Sequence, residues 1–211
     1  MEENPKTNLT QSFVYPLFFI ELLWVIKFIE WKFDINFAEW GVFPRATSGL
    51  RGIITAPLVH ADFLHLLSNT FPMLILGVMM MYFYRTIAFR VFGIIYIFSN
   101  VGTWLFAREN YHIGASGLIY GLAGFLFFSG VIRRDVRLLA LSLLVTFLYG
   151  GLVWGFLPLP DGVSYETHLS GAIVGSICAI IFRKHGPQRK VYEWENEEEE
   201  DTNDESLRIY G

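Results

Sequence analysis

Gly114-Ala115-Ser116-Gly117-Leu118-Ile119-Tyr120-Gly121-Leu122-Ala123-Gly124 opens an apolar run that continues to Ile132, and its reading decides the fold. Gly117, Gly121 and Gly124 recur at helical spacing, so a helix here presents one smooth stripe. Ser116 and Tyr120 are i and i+4 and share a face. A second stretch repeats the design: Ser164-Tyr165-Glu166-Thr167-His168-Leu169-Ser170-Gly171-Ala172-Ile173-Val174-Gly175. Gly171, Gly175 and Ala179 form its stripe. Small residues at such spacing let membrane helices approach closely. If the two stripes face each other, Ser116 and His168 ride at the same end of neighbouring helices. A nucleophile and its general base need that arrangement.

The surrounding sequence is that of a membrane protein. Hydrophobic residues make up 53% of the 211, and charged residues only 17%. Soluble domains carry about 25% charged residues. Nine acids crowd into one tail: Glu193, Glu195, Glu197, Glu198, Glu199, Glu200, Asp201, Asp204 and Glu205. Without them the formal charge moves from −4 to +5. The body is therefore weakly basic and very apolar. The single cysteine, Cys178, allows no intrachain disulfide. The first apolar segment lacks the small-residue site of a cleavable signal peptide.

A span needs about 20 mostly apolar residues. Six stretches qualify: Phe13–Trp31, Leu64–Tyr84, Ile87–Phe106, Ala115–Ile132, Val136–Leu157 and Tyr165–Arg183. The expected fold is an all-α membrane protein, a bundle of six transmembrane helices. Residues 13–184 form its core, between a short N-terminus (1–12) and an acidic, disordered tail (185–211). The first span carries Glu21 and Lys27, which either pair or snorkel toward opposite interfaces. The aromatic segment Lys32–Phe63 is expected to lie in the interface.

Basic residues set the orientation. With the N-terminus inside, the inner side holds ten (Lys6, Arg85, Arg90, Arg133, Arg134, Arg137, Arg183, Lys184, Arg189, Lys190) and the outer side four (Lys32, Arg45, Arg51, Arg108). Both termini are then cytoplasmic. Three polar clusters that lipid would penalise fall at the outer ends of their helices. They are His60 with His65-Leu-Leu-Ser68-Asn69, Gly114-Ala-Ser116-Gly117, and the segment around His168. Only Lys and Arg were used to orient the chain, so this common depth is independent support. His65 and Asn69, at i and i+4, share one face.

Each feature has a plainer reading. A serine in a membrane helix commonly bonds back to a carbonyl or packs beside glycine. A lone histidine can mark a helix start at the interface, and glycine stripes can be packing alone. Glu166, two residues from His168, reads as a first-turn acid that suits the helix dipole, with a catalytic orienter as the alternative. His112 reads as an outer-loop residue. No Cys/His or HExxH spacing supports a metal site.

Taken together the residues resemble the rhomboid family of intramembrane serine proteases. The resemblance rests on His60, His65 and Asn69 in that spacing, on Gly77 eight residues later, on Gly114-Ala-Ser116-Gly117 with Tyr120, and on His168-Leu-Ser-Gly171-Ala-Ile-Val-Gly175. It covers about Leu50–Arg183. It implies a six-helix core with a water-filled cavity opening outward, and a dyad without a carboxylate. In that reading Ser116 attacks the scissile carbonyl, and His168 is general base and then general acid. His65, Asn69 and the Ser116 backbone N–H form the oxyanion hole. Tyr120 packs on the His168 ring, and His60 supports the loop before the second helix. The implied partners are single-span membrane protein substrates within the lipid bilayer, with no cofactor and no nucleic acid. The compact chain suggests a multi-pass protein of the bacterial inner membrane. Two departures stand out. Trp40-Gly-Val-Phe-Pro-Arg45 is a loose counterpart of the family's Arg-bearing aromatic motif, and Thr167 stands where alanine is frequent.

Two other functions remain open at this level. A catalytically dead relative acting as a chaperone or adaptor would have lost the dyad, whereas all four residues are present. A channel or transporter would place charges along a whole path, whereas these polar groups cluster at one end.

Overall fold

α1 begins where Asn8 caps it, its side chain accepting from the Thr10 N–H at 3.1 Å, and runs Leu9–Phe33. It stops at Asp34, whose left-handed φ of 53° turns the chain. The computed structural model describes residues 8–140, 143 and 164–186 of the chain. Next comes a string of short turns: 3-10 segments Ala38–Trp40 and Thr47–Arg51, the brief α2 (Gly52–Thr55), and Ala56–Leu58. Four further helices follow: α3 (Phe63–Phe83), α4 (Ala88–Phe106), α5 (Ser116–Arg133) and α6 (Tyr165–Ile181).

The helices match five of the six expected spans to within a turn or so. α1 starts a turn earlier than Phe13, because the Asn8 cap fixes its true N-terminus. Four of the five (α1, α3, α4 and α5) are long and apolar enough to cross a membrane. α6, at 17 residues, is shorter than the expected Tyr165–Arg183. The fifth expected span, Val136–Leu157, lies largely outside the described residues, where only 136–140 and 143 are seen as helix. The acidic tail lies outside them too.

α5 is the hub. Of its most apolar window 56% is buried against protein, against 22% for α1, which faces outward along most of its length. Leu66, Met73, Leu76, Ile95, Leu122 and Phe125 form the packed centre between α3, α4 and α5. α1 docks on α3 at two points. The Trp24 indole donates to Thr70 Oγ1 at 3.0 Å, and Pro16 lies against Gly77, where a Cβ would approach its ring to 3.0 Å.

The α5–α6 contact is closer than any side chain allows. A Cβ on Gly171 would overlap the Gly117 carbonyl, and one on Gly175 would overlap the Gly121 carbonyl. The two glycine stripes thus face each other, backbone on backbone.

One expectation for α1 needs correcting. Lys27 does not pair with Glu21, which is exposed. Its ammonium lies 3.0 Å from Glu30 Oε2 and donates to the carbonyls of His60 and Ala61, each at 3.0 Å. Glu30 Oε1 accepts from the Phe37 N–H at 2.8 Å. At i+3 the two charges meet on one face, while Glu21 lies on another. The buried pair therefore pins both ends of the 34–62 segment to α1.

Candidate active site

Ser116 is the first residue of α5, and the chain enters it through a tight bend. Gly114 has φ of 106°, open to glycine but strained for other residues. It needs to be glycine for a second reason: a Cβ there would stand 2.7 Å from Cε1 and Nε2 of His65. The Gly114 N–H donates to the Ala56 carbonyl at 2.9 Å. The Ala115 N–H donates to His60 Nε2 at 3.4 Å. These bonds dock the turn before Ser116 onto the segment before α3. The N-terminal amides of a helix carry partial positive charge, and Ser116 sits among them, half-buried.

His60 is buried, and burial is the main cause that lowers its pKa from 6.5 to about 3, with the neighbouring His65 second. It is therefore a neutral ring. With Nε2 accepting from Ala115, its proton lies on Nδ1. The His65 ring meets it edge-on, centroids 5.1 Å apart. Asp62 caps α3 by accepting the His65 N–H at 2.7 Å, and this bond holds the Asp62 carboxyl below its ordinary value. Asn69, one turn further and 4% exposed, donates one amide hydrogen to the His65 carbonyl at 2.8 Å.

His168 lies in the first turn of α6 and is 7% exposed. Its ring stacks on Tyr120, centroids 4.1 Å apart and planes 8° from parallel. Tyr120 stands one turn into α5 from Ser116. Thr167, the residue before His168, fills the space beside Gly117: a Cβ there would come within 2.7 Å of Thr167 Cγ2. The first turns of α5 and α6 are thus in register. Ser116, Tyr120 and His168 gather at one end of the bundle, with His65 and Asn69 on the adjoining end of α3 and His60 just before it.

The opposite end is basic. Arg85 donates to Gln11 Oε1 at 3.1 Å, Arg133 donates to the Arg183 carbonyl at 2.7 Å, and Arg137 lies over the Phe83 ring. The described polar site and the basic end are therefore separated by the length of the helices.

Comparison with known proteins decides the family. The Rhomboid domain model matches residues 47–185. The chain belongs to the rhomboid family. Among the relatives of this rhomboid is an uncharacterized protein of Mycobacterium tuberculosis, 36% identical over 88% of this chain and 84% of its own length. A putative rhomboid protease of Bacillus subtilis is 30% identical over 61% of this chain and 65% of its own. A RHOMBOID-like mitochondrial protein of Arabidopsis thaliana is 29% identical over 61% of this chain and 42% of its own. The rhomboid fold and the apolar helices together make this a multi-pass membrane protein of an intramembrane-protease family.

Three further residues of this rhomboid hold the site together. Lys27 holds the His60 and Ala61 carbonyls. His112, 4% exposed, bonds both Arg108, in the connection before α5, and Ser164, at the cap of α6. Thr167 bonds α4. Glu166 sits in the first turn of α6 as expected, with Arg108 Nε 3.5 Å from its Oε1. The Trp40–Arg45 turn is tied down at both ends. Arg45 donates to the Ala107 carbonyl at 2.8 Å, and the Arg51 guanidinium lies over the Trp40 ring.

Proposed function

We propose that this rhomboid is an intramembrane serine endopeptidase that cleaves single-span membrane proteins near the outer face, with Ser116 as nucleophile and His168 as its base. The observation that carries the reading is the Tyr120–His168 stack beside the glycine-faced α5–α6 pair. It holds an imidazole still at the end of the bundle where α5 begins with a serine.

The chemistry follows from the groups gathered there. His168 takes the Ser116 hydroxyl proton as Oγ attacks the scissile carbonyl. Negative charge builds on the carbonyl oxygen, and the Ser116 N–H, His65 and Asn69 are its donors. Each preorganised donor at such a position is worth about 2.7–4 kcal/mol. His168 then returns the proton to the departing amine. Water, deprotonated by the same ring, releases the acyl group. A substrate helix must unwind to offer its carbonyl, so sequences with small or helix-breaking residues are favoured. His60 supports the Ser116 turn through Ala115, and Gly114, Gly117, Gly171 and Gly175 permit the close backbone approach.

The orientation rests on the basic residues. Arg85, Arg133, Arg137 and Arg183 belong to the end opposite the site, and the positive-inside rule makes that end cytoplasmic. Both termini are then cytoplasmic and the site opens outward from a bacterial inner membrane. The core is 13–184, flanked by residues 1–12 and the 185–211 tail.

The test is cleavage of a transmembrane reporter by purified Ser116→Ala. Loss of cleavage is expected. A wild-type rate would sink the assignment and favour a chaperone or adaptor role.

A further inference from the structure

His112 lies outside the dyad, yet both its backbone and its ring are tied down. Its backbone pairs with Val42, N–H to carbonyl in both directions at 2.9 Å. Its ring bridges two segments. Nε2 lies 2.9 Å from the Arg108 carbonyl, and Nδ1 lies 2.5 Å from Ser164 Oγ, at the cap of α6. Ser164 Oγ is 2.6 Å from Thr167 Oγ1, which is 3.1 Å from Thr103 Oγ1 on α4. Thr103 reaches the Ser99 carbonyl at 2.9 Å. His112, Thr167 and Thr103 are all 5% exposed or less.

The direction of each bond can be worked out. A carbonyl only accepts, so His112 Nε2 carries a proton. In the neutral ring Nδ1 accepts from Ser164, Ser164 accepts from Thr167, and Thr167 accepts from Thr103. In the charged ring every hydroxyl turns round: Nδ1–H donates to Ser164, Ser164 to Thr167, Thr167 to Thr103, and Thr103 to the Ser99 carbonyl. No member is orphaned in either state. The row of bonds is therefore a mechanical fixture and not a pH switch.

What the fixture holds is the first turn of α6. Thr167 precedes His168 in the chain, and its methyl lies against Gly117, the residue after Ser116. A shift of Thr167 moves the helix start that carries the base relative to the helix start that carries the nucleophile. A parallel strap, Arg108 to Glu166, is partly exposed (side chains 42% and 11%) and holds less firmly.

We propose that His112 is a positioning residue: through Ser164, Thr167 and Thr103 it fixes the first turn of α6 against α5 and so sets the alignment of His168 with Ser116. The proposal rests on the Ser116–His168 reading above.

The experiment uses the purified full chain in detergent. It measures the rate of labelling by a fluorophosphonate probe, which reports Ser116 reactivity without helix docking, alongside reporter cleavage and melting temperature. His112→Ala is expected to slow labelling about ten- to a hundredfold, since misplacement by about 1 Å can cost on the order of a hundredfold. The kcat for the reporter should fall with KM unchanged. His112→Asn, which keeps an acceptor facing Ser164, should restore most of the rate. Ser164→Ala should resemble His112→Ala, and the double variant should be no slower than either alone. If His112→Ala proves unstable, His112→Asn and Ser164→Ala carry the comparison.

Wild-type labelling rates in His112→Ala and Ser164→Ala, or losses that multiply in the double variant, would overturn the proposal and leave the dyad standing. Equal labelling of wild type and Ser116→Ala would overturn the dyad itself, and the positioning role with it.

Discussion

The rings of Tyr120 and His168 lie parallel, with centroids 4.1 Å apart. The contact restrains the imidazole from its flat face and leaves the ring edge, with its nitrogens, for other groups. Shape is what it supplies, so a phenyl ring should serve. Tyr120→Phe is expected to keep most of the activity. Tyr120→Ala should lower kcat on the order of a hundredfold. Steady-state cleavage of a transmembrane reporter checks both, and an unimpaired Tyr120→Ala would detach the stack from catalysis.

The α5–α6 seam should be intolerant of a single methyl. Gly171→Ala and Gly175→Ala drive a Cβ into the carbonyls of Gly117 and Gly121. Overpacking of this kind costs about 1–3 kcal/mol. Gly93 on α4 has nothing within 4 Å of its would-be Cβ. Gly93→Ala should be neutral or stabilising by up to about 1 kcal/mol. Unfolding in mixed micelles separates the two classes.

Removing one member of the Lys27–Glu30 pair should be worse than removing both. The side chains are 12% and 6% exposed. Lys27→Met strands a buried carboxylate, a change worth about 3–5 kcal/mol. The double variant Lys27→Met/Glu30→Gln should recover part of that loss. If the two single losses simply add, the pair is not coupled.

Acid should weaken the fold through His60. Its folded pKa lies near 3, below the ordinary 6.5, because burial disfavours the charged ring. The unfolded chain therefore binds the proton more readily. The contribution is fully present above about pH 6.5 and is lost as pH falls toward 3. His112, also lowered by burial, acts in the same direction. The melting temperature should drop between pH 7 and pH 4, and His60→Gln should flatten that slope without abolishing it. An unchanged slope would remove His60 from the account.

Legibility followed the range of the interactions. The glycine stripes, the Ser116–Tyr120 spacing and the His65–Asn69 face are set within one or two helical turns, and the sequence displays them directly. Lys27 is read less well, because two of its partners are backbone carbonyls more than thirty residues away, at His60 and Ala61. His112 looks like a loop residue for the same reason: two of its partners, Val42 and Ser164, lie close only after folding. Set among Arg108, Glu109 and Asn110, it carries no local signal that sets it apart. Exact helix ends depended on caps, of which Asn8 and Asp62 were visible only as residue types.

The glycine-faced seam also bears on biogenesis. The proposed nucleophile and base enter the bilayer on different helices, α5 and α6, separated by an intervening stretch of chain. Helices insert before they associate, so neither alone can hydrolyse a peptide. On the proposed reading, the chain would stay inert while its helices are being inserted. Activity then begins only when α6 settles onto α5, which makes that docking step a safety catch.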